Sequence, residues 1–506
     1  MISNDASQEP TDICILVEGC YPFVAGGVAS WLDWLMRKQD DLTFGVVAIM
    51  ADERPRKSQY LPPPNLKYVK VLPLSRKVRR AGLRQPVLDV DALAASFRRV
   101  LVSGDVDAFT HIVRVITSPV RHAPLEWASL PRRMTYDELM GCKPLWDVMI
   151  SCYTEICPNA SEADFFWAWR NLVGSLFALL VDPLPQADIY HTISTGYAGL
   201  LAARASVALG KPTILTEHGI YSNERRIDLI MADWIFDTIQ VGLTGRDDRK
   251  DIRTFWIDTF ESYARVCYGS SSRVTTLYGE NQFMQRALGA APERLRVIPN
   301  GIELERFDAI PDVPPPHPPT AALIGRVVPI KDIEAFIEAA ALVKQEIPNV
   351  EILIIGPTDE DDEYFELCQR RVAEAGLDRT VTFTGKVNII DVLPRIDVLV
   401  LTSISEAQPL VLLEAGAARV PCVATDVGSC REIIEGAADE IPNLGSGGRV
   451  VPPMDSKALG AAIIELLCAP DLRQACGAAL RKRVELHYTS RLSADRYRDL
   501  YRELGK

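Results

Sequence analysis

The chain has 506 residues, more than one hydrophobic core ordinarily supports, so two or three domains are expected. Its 48% apolar and 24% charged residues are those of an ordinary globular protein and exclude disorder as the general state. A net charge of −12 excludes general binding to a phosphate backbone, so no nucleic-acid partner is expected and any phosphorylated ligand needs a local site.

The opening MISNDASQEPTD has no basic start leading into an apolar segment, and no run of about 20 apolar residues could span a bilayer. A cytoplasmic location is expected on that pattern. Eleven cysteines lie scattered without CxxC pairs or Cys/His ligand spacing, which predicts reduced thiols and no metal centre.

In chain order, short apolar runs alternate with helical stretches, the pattern of a parallel α/β architecture. Strands are predicted over 12–19, 44–50, 66–74, 188–194, 212–219 and 295–301. A second set follows over 321–325, 350–356, 380–385, 398–403 and 420–426. Between the sets, PDVPPPHPP (311–319) holds six prolines in nine residues and reads as a stiff linker. It divides an amino-terminal domain, 1–310, from a carboxy-terminal one, 320–487. Both are expected to be doubly wound Rossmann-like domains that face each other across a cleft.

The first domain carries helical insertions at about 75–187 and 222–265, where aromatic runs such as ADFFWAWRNLVGSLFALL read as core packing. The tail, 488–506, reads as an amphipathic helix with Leu492, Tyr497, Leu500, Tyr501 and Leu504 on its apolar side, suited to dock on either domain.

The stretch SISEAQPLVLLEAGA (403–417) follows a predicted strand. It places Glu406 in the loop at that strand's carboxyl end and Glu414 on the next helix, with Pro409 in the first turn. Ser403 with Glu406, or Ser405 with Gln408, also fits a capping box that only starts the helix. Upstream, GRVVPIKD places Arg326 after a strand and Lys331 before a helix whose Ile333, Phe336, Ile337 and Ala340 share one face. Two cations opposite a helix amino terminus suit a diphosphate. Gly26 and Gly27 lie between the first strand and VASWLDWLM, either as a plain turn or as a close backbone approach to a phosphate or sugar. Asn300 in IPNG either shapes a turn or meets a ligand. The acids of TDEDDEYF (358–365) read as first-turn residues of a helix rather than as metal ligands.

Taken together, GRVVPIKD, SEAQPLVLLEA, VIPNGIELERF and PFVAGGVASW resemble a family 4 glycosyltransferase of the GT-B fold. The fuller strings EGCYPFVAGGVASW, TEHGIYSNERRIDL and ADWIFDTI resemble the PelF group, the transferases of Pel exopolysaccharide synthesis. The resemblance covers nearly the entire chain. It implies retaining transfer of a hexose or N-acetylhexosamine from a UDP-sugar donor to a polysaccharide acceptor, with no cofactor or metal required. Arg326 and Lys331 then stabilise the departing diphosphate, Glu406 holds the donor sugar, and Glu414 takes the ribose hydroxyls. Lys386 and Val387 cradle the nucleobase, and Ala407, Gln408, Pro409 and Leu410 contribute backbone to the donor site. His218 matches a histidine near the transferred sugar. Components of an inner-membrane polysaccharide synthase are the implied partners, which would recruit the chain to the inner face of the membrane. The competing expectation is a catalytically silent nucleotide-sugar-binding subunit that scaffolds or regulates such a synthase.

Overall fold

Strands that are apolar at nearly every position need cover on both faces, and the parallel sheets of this protein have it. The structure is a computed structural model that describes residues 9–78, 85–123, 131–232, 251–310 and 316–505. It divides into two compact units. One comprises Met1–Thr276, Asn281–Arg296 and Arg498–Lys506, the other Leu277–Glu280 and Val297–Tyr497.

In the first unit the strands are β1 (Thr11–Glu18), β2 (Phe44–Met50), β3 (Leu66–Pro73), β4 (Gln85–Pro86), β5 (His122–Ala123), β6 (Ala187–Thr192), β7 (Thr213–Glu217), β8 (Arg273–Thr276) and β9 (Leu295–Val297). β4 and β5 form a small antiparallel pair. The others make one sheet in the order β3-β2-β1-β6-β7-β8-β9, so the direction of winding reverses between β1 and β6. Helices of the long insertion between β3 and β6 are started by side chains: Asp89, Asp105 and Ser161 accept from the amides of Ala92, Ala108 and Asp164. Phe97, Phe165, Trp169 and Phe177 are buried among these helices, whereas Trp146 and Trp167 stay exposed. The end of the basic SRKVRRAGLR, from 79 on, and the end of IDLIMADWIFDTI, from 233 on, lie outside the described residues.

The second unit has β10 (Thr320–Ile324), β11 (Glu351–Ile355), β12 (Val381–Gly385), β13 (Val398–Leu401), β14 (Cys422–Thr425) and β15 (Gly448–Val451). Their order, β12-β11-β10-β13-β14-β15, again reverses beside the first strand of the unit, and every pair is parallel. Period-2 alternation divides the strand residues between two cores. Ala321, Leu323, Val398 and Val400 pack with Phe336, Ile337 and Ile463. Ala322, Leu399 and Leu401 pack with Leu412, Ile433 and Leu480 on the other face.

Residues 297–310 belong to the second unit, tied there by Ile302, whose amide donates to the Tyr488 carbonyl at 2.9 Å and whose carbonyl accepts from the Ser490 amide at 2.8 Å. Of the proline-rich segment, 311–315 lies outside the described residues. The tail forms a helix over Ser490–Leu504, of which the part from Arg498 onward belongs to the first unit. There Tyr501 is buried against Phe44 and hydrogen-bonded to His191 Nδ1 at 2.7 Å.

Arg483 is the largest fully buried side chain of the second unit, and Glu440 accepts two bonds from it, at 2.6 and 2.8 Å. The carbonyls of Ile434 and Gly445 take two further bonds at 2.9 and 2.7 Å. Removing one partner of a buried pair strands the other's charge. Arg483→Ala is therefore expected to cost about 3–5 kcal/mol, read as a lowered urea midpoint for the second unit's unfolding transition.

Candidate functional site

Parallel strands present free backbone groups and helix amino termini at their carboxyl ends, and a gap opens where the strand order reverses. In the second unit that place lies between β10 and β13. The loop after β10 carries Arg326 and Lys331, and the loop after β13 carries Ser403 to Pro409.

The ammonium of Lys331 is ion-paired with Glu406 Oε1, both side chains being less than a fifth exposed. Ser403 Oγ donates to the same oxygen at 2.7 Å. Two more bonds stitch the loops together: Thr402 Oγ1 donates to the Lys331 carbonyl at 2.6 Å and the Ile404 amide to the Ile330 carbonyl at 2.9 Å. A third loop presses on them from behind. Gly428 has φ +53°, and a Cβ there would stand 2.2 Å from the Glu406 carbonyl oxygen, so both conformation and space demand glycine. The Ser429 amide donates to the Ala407 carbonyl at 2.9 Å.

Neither capping-box reading of this stretch holds. The helix Leu410–Ala417 starts after Pro409 without a side-chain cap, so Glu406 stays in the loop. Gln408 turns away to Asn300, accepting from its amide at 2.7 Å and donating to its carbonyl at 3.3 Å. Asn300 Oδ1 is left buried without a hydrogen-bond partner.

Among the described residues, the remaining candidates of this unit, Arg326, Lys386, Val387 and Glu414, do not join the Lys331–Glu406 pair by any hydrogen bond or ion pair. Arg326 pairs at 2.7 Å with Glu360, in an exposed contact. That corrects the reading of TDEDDEYF in part. Asp361 caps the helix Asp362–Glu374 and Asp362 and Glu363 fill its first turn, but Glu360 sits ahead of the helix and faces a cation. Among the described residues no group of three or more His, Cys, Asp or Glu side chains could hold a metal ion. Gly385 and Lys386 line a cavity of about 490 Å³ with Pro357, Thr358, Asp359 and Glu360, and Val387 is exposed beside them. Glu414, on the helix Leu410–Ala417, is half-buried; burial raises its carboxyl above the usual range and Arg306 opposes that.

In the first unit the equivalent place, between β1 and β6, is taken by the chain's own carboxylate. Glu18 Oε2 accepts from the Tyr197 amide at 2.9 Å, Tyr221 Oη donates to Oε1 at 3.2 Å, and Arg225 Nε donates to Tyr221 Oη at 3.0 Å. A Cβ on Gly196 would stand 2.6 Å from Glu18 Oε2 and 2.7 Å from the Tyr221 ring. Burial raises the Glu18 carboxyl above its usual range, with Arg225 opposing. Gly26 and Gly27 stand at the start of the helix Gly27–Lys38, which has no side-chain cap. A Cβ on either meets nothing within 4 Å, and Gly26 has an extended φ of 172°, so neither packing nor conformation demands glycine there.

His218 follows β7 with its ring edge-on to Trp31 at 4.7 Å, and its Nε2 is buried without a hydrogen-bond partner. Burial lowers its pKa to about 4. Its neighbour Glu217 accepts from Tyr268 Oη at 2.5 Å and Gln285 Nε2 at 3.0 Å, and burial pushes its pKa up to about 7. Glu18, Ser403 and Glu360 were not among the residues expected in the site. Glu18 and Ser403 end strand segments, which is the sequence signal that could have found them, whereas nothing local distinguishes Glu360 from its acidic neighbours.

Two parallel, doubly wound Rossmann-like domains make this a protein of the GT-B fold, and solved structures share it over nearly the whole chain. Sucrose-phosphate synthase from Thermosynechococcus elongatus superposes with a TM-score of 0.56 at 17% identity, covering 98% of this chain and 99% of that one. Anabaena HepE in complex with UDP-glucose gives a TM-score of 0.53 at 13% identity, covering 98% and 100%. The chain belongs to the family described as Domain of unknown function (DUF3492), which matches residues 11–293, and it carries a Glycosyl transferases group 1 domain over residues 308–483. A D-inositol 3-phosphate glycosyltransferase of Saccharomonospora viridis is 26% identical over 234 residues, 43% of this chain and 52% of that protein. The chain thus spans about half the length of that curated relative.

The neutral His218 has a pH signature. The unfolded chain takes up its proton near pH 6.5 and the folded one only near pH 4, so this histidine's contribution is full above pH 6.5 and is lost as pH falls toward 4. Glu217, raised from 4.5 to about 7, contributes most below pH 4.5 and loses that as pH rises toward 7. His218→Gln is expected to remove the first slope and leave the second. Urea unfolding at pH steps from about 4 to 7 should then give a stability that rises less steeply with pH than in wild type, by at most about 1.4 kcal/mol per unit.

Proposed function

We propose that the protein is a retaining glycosyltransferase that moves a hexose or N-acetylhexosamine from a UDP-sugar of the UDP-glucose type to a growing polysaccharide, in Pel exopolysaccharide synthesis. The observation that carries this reading is the partly buried Lys331–Glu406 pair, anchored by Ser403, where the strand order of the second unit reverses. Turnover is favoured over a silent scaffold because two cations, Arg326 and Lys331, and two acids, Glu406 and Glu414, stand together in this unit, a set that nucleotide-sugar binding alone would not need.

Departure of the diphosphate builds negative charge on its β-phosphate and positive charge at the anomeric carbon. Lys331 and Arg326 are assigned to the first charge, helped by the uncapped amino terminus of Leu410–Ala417, with Ala407, Gln408, Pro409 and Leu410 as backbone lining. Arg326 exchanges Glu360 for phosphate as the donor binds. Glu406 Oε1 is committed to Lys331 and Ser403, which leaves Oε2 to accept from a sugar hydroxyl. Glu414 takes the ribose, Lys386 and Val387 hold the nucleobase beside the cavity they border, and Asn300 orients the Gln408 loop. His218, Gly26 and Gly27 are assigned to the sugar and acceptor. His218 is neutral and has a free ring nitrogen, and the two glycines leave open space that no protein atom fills.

The relatives support the donor class: HepE was solved with UDP-glucose, and the relative from Saccharomonospora viridis is named a glycosyltransferase. No described helix is long and apolar enough to cross a membrane, and inner-membrane components of a synthase are the proposed partners.

Calorimetric titration with UDP, ADP, GDP and UDP-sugars, paired with a turnover assay, tests this reading. Selective binding of UDP and one UDP-sugar is expected. Lys331→Ala should lower turnover by about 10²–10³-fold, as loss of one donor to a developing oxyanion does elsewhere. Ser403→Ala should lower kcat more than it raises KM, because it loosens Glu406 without touching the nucleotide. A folded wild type that binds nucleotide but shows no turnover that Lys331→Ala abolishes would return the protein to the scaffold class.

A further inference from the structure

The edge of the first unit's sheet away from Glu18 and His218 holds a cavity of about 570 Å³ that the transfer reaction does not use. Thr11 and Ala187, the first residues of β1 and β6, line it, so it opens at the amino ends of the strands. Arg133, Arg204 and Lys211 contribute positive charge to its wall and Asp188 a single carboxylate.

Arg204 is unusual among these. It is only 7% exposed, yet no carboxylate lies within ion-pair distance among the described residues. Its Nη1 donates to the carbonyls of Leu179 and Asp182 at the carboxyl end of the helix Glu162–Val181, which accounts for part of the guanidinium. Nε is buried with no acceptor and is out of reach of a ligand, so Nη2, from which no hydrogen bond runs among the described residues, is the donor left for one. The nearest carboxylate, Asp182, is already held by Arg76 in a two-bond pair at 3.0 and 2.6 Å.

Around it the charge is one-sided. Arg133 is exposed, makes no ion pair among the described residues, and acts against the charge of Arg204; burial, the larger effect, lowers the Arg204 pKa to about 10. Lys211 meets Asp188 at 3.1 Å in a partly exposed pair. Three cations and one carboxylate converge on a space large enough for a small ligand, and a buried guanidinium with unused donors is costly without an anion to receive them. Pro183, Pro185 and Leu209 give the remaining wall an apolar face.

We propose that this cavity binds a phosphate-bearing small molecule with an apolar or ring-shaped body, on the sheet edge opposite the one that carries His218. The phosphate lies between Arg133, Arg204 and Lys211, and the body rests on the proline wall. This goes beyond the transferase reading and does not depend on it.

The test uses the full chain carrying Arg326→Ala and Lys331→Ala, which disables the proposed donor site. Inorganic phosphate and glucose 1-phosphate are titrated calorimetrically and phosphatidylglycerol vesicles are tested by co-sedimentation, with thermal unfolding followed in parallel. One saturable site is expected for each probe, tighter for glucose 1-phosphate than for inorganic phosphate. Adding Arg133→Ala and Lys211→Ala should weaken it by at least about tenfold with the fold unchanged by circular dichroism. These two side chains carry the test because they are partly exposed, whereas Arg204 also caps a helix. Absence of saturable binding in the donor-disabled chain, or binding that ignores the Arg133→Ala and Lys211→Ala changes, overturns the proposal. Binding only to phosphatidylglycerol vesicles, with none to the soluble phosphates, overturns it as well.

Discussion

An ammonium taken out of water has to be met by a negative group, and the arrangement of the second unit's functional edge follows from how Lys331 is met. Glu406 answers it, but only because three loops hold that carboxylate in place: Ser403 bonds it, Thr402 and Ile404 tie its strand end to the loop of Lys331, and Gly428 lets a third loop close against its backbone. The pair therefore defines the relative positions of the loops after β10, β13 and β14. Each loop then places its other residues, Arg326 on one side and the start of the helix Leu410–Ala417 on the other.

The two units use one architecture with different side chains at its edge. Both sheets reverse direction beside the first strand of their unit, and both place a helix amino terminus there. In the second unit that place holds two cations, each paired with a carboxylate, and the helix Leu410–Ala417 carries no side-chain cap, so free backbone donors and exchangeable ion pairs stand together there. In the first unit Glu18 already accepts the Tyr197 amide, and Gly196 is held to glycine by that carboxylate and the Tyr221 ring. An anion arriving there would meet a carboxylate.

Much of this was legible in the sequence. In the second sheet β10, β11, β13 and β14 are mainly Ile, Leu, Val and Ala bounded by glycine, proline or polar residues, and these announce buried strands, while the edge strand β12, VTFTG, shows alternation instead. β8 and β15 were not legible, because RVTT and GRVV are too short and too polar to stand out, and they become strands through pairing with β7 and β14. The helix start at Pro409 was readable from the proline, while the roles of Ser403 and Gln408 were not. Ser403 does bond Glu406, the residue the capping box pairs it with, but side chain to side chain in a loop ahead of the helix, while Gln408 is taken by Asn300 far back in the chain. A cap depends on neighbours in sequence, and the Gln408 side chain was claimed by a neighbour in space.

What the sequence determined by itself was the alternation of strands and helices, hence the parallel sheets, and with them the edge on which Arg326, Lys331 and Glu406 fall, with Glu414 on the helix that follows. That much follows from residue periodicity and strand ends, which are local. Only the tertiary structure decided that Lys331 pairs with Glu406 while Arg326 pairs with Glu360, that Glu18 fills the corresponding place in the first unit, and that Arg204 is buried with donors to spare. Those outcomes depend on which side chains compete for one charge at one point, and residues 34 to 179 positions apart meet there only after the sheets have formed.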